Sequence, residues 1–95
     1  MTNTSPCRAT VHYTGRVQGV GFRYTVKSMA AGFDATGVVR NLPDGRVALV
    51  IEGDRTELEA FMDAVRDAGL APMIRDEDCK WSESTGEFKG FEIVR

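Results

Sequence analysis

Between Thr14 and Arg23 the chain reads Thr14-Gly15-Arg16-Val17-Gln18-Gly19-Val20-Gly21-Phe22-Arg23, with three glycines in seven residues and then an arginine. A glycine-rich turn that opens a helix leaves successive backbone N–H groups facing one concavity, and the helix dipole adds to the field there. Both favour a bound anion. Arg23 falls in the first turn of the following helix, where a cation opposes the macrodipole. An anion seated beside it explains that placement. The loop is not a phosphatase loop of the cysteine type, because the position six residues before Arg23 is Val17. It is not a Walker A loop, since Arg23 is followed by Tyr24-Thr25 and no Gly-Lys-Ser/Thr occurs. The dinucleotide pattern fails as well, because Tyr24 stands where the third glycine should be.

The elements that must position this loop follow from periodicity. Cys7, Ala9, Val11 and Tyr13 alternate with Arg8, Thr10, His12 and Thr14, a half-buried strand with His12 solvated on its polar face. Phe22, Val26, Met29, Ala30 and Phe33 recur at helical spacing, and Gly32 is the expected C-cap. A second strand covers 34–41. Leu42-Pro43-Asp44-Gly45 then has the residues of a type I turn, joining it as a hairpin to a third strand over 46–52. Asp54 with Glu57 forms a capping-box pattern for a second helix, with Thr56 and Glu59 as the alternative. Its inward stripe is Leu58, Phe61, Met62 and Val65, and Gly69 and Pro72 mark its stop. A fourth strand lies within 74–83 with Trp81 as a packing residue, a polar loop runs through Glu87, and Phe91-Glu92-Ile93-Val94 forms a short terminal strand.

The order is βαββαβ plus a tail strand, with one apolar stripe per helix. The expected fold class is α+β: a ferredoxin-like two-layer sandwich of an antiparallel sheet covered by two helices, with a short extra C-terminal strand. In this split βαβ arrangement strands one and two are parallel and strand three lies between them. Their C-terminal ends share one end of the sheet, so topology brings Asn41 to the loop and Arg23. Arg40 and Arg46 are expected to flank the site and raise its positive potential, and Gln18 to order the loop. An arginine, an asparagine and a ring of amides can bind phosphate but supply no nucleophile and no strong base. Phosphoryl transfer to water runs on such positioning when the leaving group is a carboxylate, because the loose transition state asks mainly for charge stabilisation and an in-line water.

At these residues the sequence resembles the acylphosphatase family. The first family motif stands here as Gly15-x-Val17-Gln18-Gly19-Val20-x-Phe22-Arg23. The second stands as Gly37-Val38-Val39-Arg40-Asn41, followed after three residues by Gly45, then Val47, and Gly53 after five more. The resemblance implies hydrolysis of acyl phosphates to a carboxylate and inorganic phosphate, without metal or cofactor, by a small monomeric cytoplasmic enzyme. It implies that Arg23 binds the phosphate and Asn41 orients the attacking water. The backbone amides of Arg16, Val17, Gln18, Gly19 and Val20 would surround the phosphoryl oxygens. Two positions depart from the family pattern. Tyr13 replaces the usual aliphatic residue, a core change, and Val38 replaces an aromatic, which bears on how the rim of the site meets the acyl group.

Composition narrows the alternatives. The 95 residues form one domain of ordinary globular composition, residues 7–95, behind an expected flexible leader, residues 1–6. A net charge of −2 argues against a nucleic-acid binder. No apolar run reaches membrane-spanning length, and the N-terminus lacks a signal-peptide pattern. Cys7 and Cys79 form no CxxC pair, and with a single histidine they do not make a zinc site. They are expected to be free thiols. An RNA-recognition module would carry aromatics on strand three, which has none. A copper carrier would need cysteines in the first loop. The remaining rival is a catalytically idle acylphosphatase-like module that binds or regulates.

Overall fold

A computed structural model describes residues 6–94; residues 1–5 of the expected leader lie outside the described residues. Strand β1 spans Cys7–Gly15, helix α1 Phe22–Ala30, β2 Thr36–Asn41, β3 Val47–Gly53, helix α2 Arg55–Val65, β4 Ile74–Glu83 and β5 Phe91–Ile93. The sheet order is β4-β1-β3-β2-β5. Strand β3 pairs antiparallel with both β1 and β2, so those two strands run parallel, as the split βαβ reading requires. The terminal strand departs from the antiparallel expectation: β5 joins β2 in parallel, which makes the sheet mixed. No helix among the described residues is long and apolar enough to cross a membrane.

Alternation decides the two faces of the sheet. Ala9, Val11 and Tyr13 of β1, Val39 of β2, and Val47, Leu49 and Ile51 of β3 are buried under the helices. Phe22, Val26 and Ala30 of α1 meet them, as do Leu58, Phe61, Met62 and Val65 of α2. Phe61 stacks on Phe33 at 5.1 Å between ring centroids and lies 5.8 Å from Phe91 of β5, tying the terminal strand to the helical layer. Trp81 is half-buried beneath the Arg55 guanidinium, 4.1 Å from its ring centroid.

Three local expectations change. Gly32 is not a left-handed cap; it donates its N–H to the Met29 carbonyl at 3.0 Å, and the helix ends in right-handed geometry at Ala31. Asp54 does precede α2 with extended backbone, but no side-chain cap bond forms. Glu57 Oε2 instead accepts the Asp34 backbone N–H at 2.8 Å, joining α2 to the entry of β2. The stop at Gly69 holds: α2 ends at Val65, one wider turn follows, and Gly69 takes a φ of +85°. The 42–45 turn closes as expected, with Gly45 N–H donating to the Leu42 carbonyl at 3.1 Å. Across the β1–β4 pair Cys79 faces Val11, whereas Cys7 faces Glu83. Four residues of strand, about 13 Å, separate the thiols, and both are free.

Candidate active site

The loop between β1 and α1 is held at three points. Val17 is buried in the core. Gln18 Nε2 donates to the carbonyls of Leu42 at 2.8 Å and Arg46 at 3.0 Å, so the loop is bolted to the turn that follows Asn41. Arg16 N–H donates to the Met73 carbonyl at 2.9 Å. The backbone passes so close there that a Cβ on Gly15, at φ +136°, would sit 2.3 Å from the Met73 oxygen, which only glycine avoids. This corrects the expected cradle at one end. The Arg16 amide already serves the fold, while those of Val17, Gln18, Gly19 and Val20 have no protein acceptor among the described residues.

Helix α1 starts from Gly21 at φ +80° with no side-chain cap and no acidic residue in its first turn. Its own first N–H groups are therefore open toward the loop. Arg23 stands in that first turn, half-buried, and forms no ion pair with any described acidic residue. It lines a surface depression with Tyr24, Ile93 and Val94. Val94 N–H donates to the Val39 carbonyl at 3.0 Å, which places that wall beside the end of β2. Tyr24 and the β5 wall were not picked out from the sequence. Tyr24 is off the apolar stripe of α1, and nothing in the chain signals where a short terminal strand will pair.

Asn41 closes β2 opposite Val47, on the same sheet face as Val39 and therefore on the helix side with Arg23. Its Oδ1 is buried and has no hydrogen-bond partner among the described residues. A buried amide oxygen left unmatched costs about 1–3 kcal/mol, so native proteins supply a water, an ion or a ligand to such a group. Among the described residues the other buried orphan is the Tyr13 hydroxyl, whose titration burial pushes upward and whose ring packs on Phe22 at 5.1 Å.

Of the two expected flanking charges, Arg40 turns away from the site, and Arg46, whose carbonyl holds Gln18 of the loop, is paired with a neighbouring carboxylate. Arg40 and Val38 alternate with Val39 and Asn41 and so face away from the helices, lining a cavity on the open side of the sheet with His12, Ala48 and Val50. Val38 therefore cannot shape the rim of the site, and His12 is half-buried on the wrong face to act there. Arg46 is occupied by Asp44, with Nε to Oδ2 at 2.8 Å.

Comparison with known proteins gives the family of the chain. The acylphosphatase family model matches residues 9–93. An acylphosphatase of Acaryochloris marina is 42% identical over 82 residues, covering 86% of this chain and 87% of that protein. One from Nostoc is 42% identical over 99 residues, covering 100% and 97%. The crystal structure of acylphosphatase from Bacillus subtilis superposes with a TM-score of 0.85 at 35% identity, over 94% of this chain and 99% of that one. Full-length HypF contains a similar unit at a TM-score of 0.81 and 25% identity, spanning 99% of this chain but 12% of that one. The chain belongs to the acylphosphatase family of hydrolases.

Proposed function

We propose that this site hydrolyses the carboxyl–phosphate bond of acyl phosphates, releasing a carboxylate and inorganic phosphate. The phosphoryl oxygens lie against the amides of Val17 to Val20 and the open end of α1, with the Arg23 guanidinium supplying the opposing charge. Asn41 Oδ1 accepts a hydrogen from the attacking water and so turns a lone pair of that water toward phosphorus, in line with the leaving oxygen. As the new P–O bond forms, the P–O bond to the acyl group breaks and its electron pair stays on the carboxylate. The water's proton passes to a phosphoryl oxygen or to solvent. A carboxylate leaves readily, so no general acid is required. The distant His12 suits that chemistry.

The observation that carries this reading is the buried Asn41 oxygen, unpartnered among the described residues, next to a loop of amides with no acceptor among them. A site that satisfied its own polar groups would have nothing to offer substrate or water. The reading takes the chain as a monomeric cytoplasmic enzyme that needs neither metal nor cofactor and acts on a small molecule. Turnover should then persist in EDTA, and phosphate monoesters, with their poor leaving groups, should be cleaved little. The test is an acyl-phosphate assay on wild type and Asn41→Ala together. Turnover is expected to fall by roughly 10² or more in the variant, the scale of one preorganised transition-state group. Wild type that bound phosphate yet left acetyl and benzoyl phosphate intact would instead establish the idle binding module.

A further inference from the structure

The cavity on the open face of the sheet measures about 300 Å³, and two cross-strand rows make its floor. In one row Ala48 of β3 stands between His12 of β1 and Arg40 of β2; in the next, Val50 stands between Thr10 and Val38. Strand alternation turns all six side chains to this face. Phe88 forms the wall on the Arg8 side, its ring centroid 5.1 Å from that guanidinium. His12 and Arg40 sit two strand spacings apart, about 10 Å, with only the Ala48 methyl between them. Arg40 is exposed and forms no ion pair with any described acidic residue. Of the acids on this face, Glu52 and Glu87 are held by Arg8. Asp78, across from His12, and Glu92, across from Val38, do not line the cavity. Val38 stands where the family pattern has an aromatic residue, so the floor lacks the ring that would cover it.

We infer that this cavity is a second ligand site, which binds a small aromatic carboxylate. The carboxylate lies between Arg40 and His12 above Ala48, and the ring covers Val38 and Val50 against Phe88. The planar guanidinium fork of Arg40 matches a carboxylate, and His12 donates a ring N–H in either protonation state. One negative charge on the ligand answers the one unpaired cation of the lining. The ring takes the place of the aromatic side chain that this chain lacks and meets Phe88 as aromatic pairs do. The volume lies at the lower end for small-molecule pockets, which limits the occupant to about one ring. The sheet separates the cavity from the phosphate loop, so this ligand and phosphate bind together, and the site exists whether or not the chain hydrolyses acyl phosphates.

The test titrates benzoate into the isotope-labelled full chain and follows amide NMR signals, with and without saturating inorganic phosphate. Saturable shifts should centre on Thr10, His12, Arg40, Val50 and Phe88 and persist in phosphate. Acetate and benzyl alcohol, each carrying half of the ligand, should bind about tenfold more weakly or less. Val38→Phe, which returns a ring to the floor, should weaken benzoate about tenfold or more. Arg40→Gln should do the same, the scale of one charge-assisted contact. Both variants should keep the wild-type rate on acetyl phosphate, because their side chains face away from the phosphate loop; should Val38→Phe fail to fold, Arg40→Gln decides. Shifts confined to the phosphate loop and abolished by phosphate would overturn the site. So would the absence of saturable shifts, acetate binding as tightly as benzoate, or wild-type affinity in a folded Val38→Phe or in Arg40→Gln.

Discussion

Two polar clusters sit at opposite ends of this sheet, and they are built on contrary rules. At one end Glu52, only 4% exposed, is saturated. It accepts Arg8 Nε at 2.8 Å, Ser84 Oγ at 2.9 Å, and the Thr85 and Gly86 amides at 2.9 and 3.0 Å. Burial alone would raise its titration, but these donors outweigh burial and bring it down to about 2. Arg8 extends the network to Glu87 at 2.6 Å and lies over the Phe88 ring, so the 84–88 loop is strapped across the open face. At the other end, among the described residues, Asn41 Oδ1 is buried without a partner and the amides of Val17 to Val20 have no acceptor. The difference teaches where each cluster's energy goes. The Glu52 cluster stabilises the fold and has nothing left to bind with; the Asn41 end is left unsatisfied by the fold, and on the proposed reading substrate and water complete it.

The sharpest way to break this contrast is Arg23→Ala. It should lower kcat/KM by about 10³ and weaken inhibition by phosphate, since in the proposed site that cation stabilises the charge on the transferring group. A variant within tenfold of wild type would move the phosphate elsewhere. Asn41→Ala comes next, and its stability matters as much as its rate. Turnover should fall about 10², while the melting temperature holds or rises, because the substitution removes an unsatisfied buried oxygen. A clear drop in melting temperature would show that Asn41 serves the fold after all.

Glu52→Gln should do the reverse, leaving activity intact while costing about 2 kcal/mol of stability, near 10 °C for a domain of this size. Its pH dependence carries a definite sign. The folded carboxyl titrates near 2, below its ordinary value of 4.5. Its contribution is therefore complete above pH 4.5 and is lost as pH falls toward 2. Thermal melts from pH 7 down to pH 2.5 should show wild type losing its lead over Glu52→Gln in that window. A gap that stayed constant would mean the carboxylate is not what the loop depends on. The smallest expected effect belongs to Gln18→Ala. Freeing the loop from the Leu42 and Arg46 carbonyls should reduce kcat a fewfold and stability by about 1 kcal/mol. No change in either would mean that Val17 alone places the loop.

Much of the fold was legible because it is local. Period-two and 3.6-residue patterning located each strand and helix, and the Pro43-Asp44-Gly45 sequence located the hairpin turn. The separation of Arg40 and Val38 from Asn41 was equally present in that alternation, since neighbours on a strand point to opposite faces; proximity in sequence obscured it. Other features needed partners from far along the chain. Glu57 was a reasonable cap for α2, yet the Asp34 amide, 23 positions earlier, takes its carboxylate. The Arg16 amide looked free in a glycine loop until Met73 supplied a carbonyl.

By itself, the sequence determined the element order, the apolar faces, a loop capable of holding an anion, and the presence of Arg23 and Asn41 at the ends of elements that a split βαβ brings together. Local backbone preference and hydrophobic periodicity are enough for that. Only the tertiary structure decided which polar groups remain open. Whether an amide or a carboxylate is satisfied depends on what the folded chain places within 3 Å of it. That sum left Val17 to Val20 and Asn41 available, closed off Arg16 and Glu52, and set Ile93 and Val94 beside Arg23 and Tyr24.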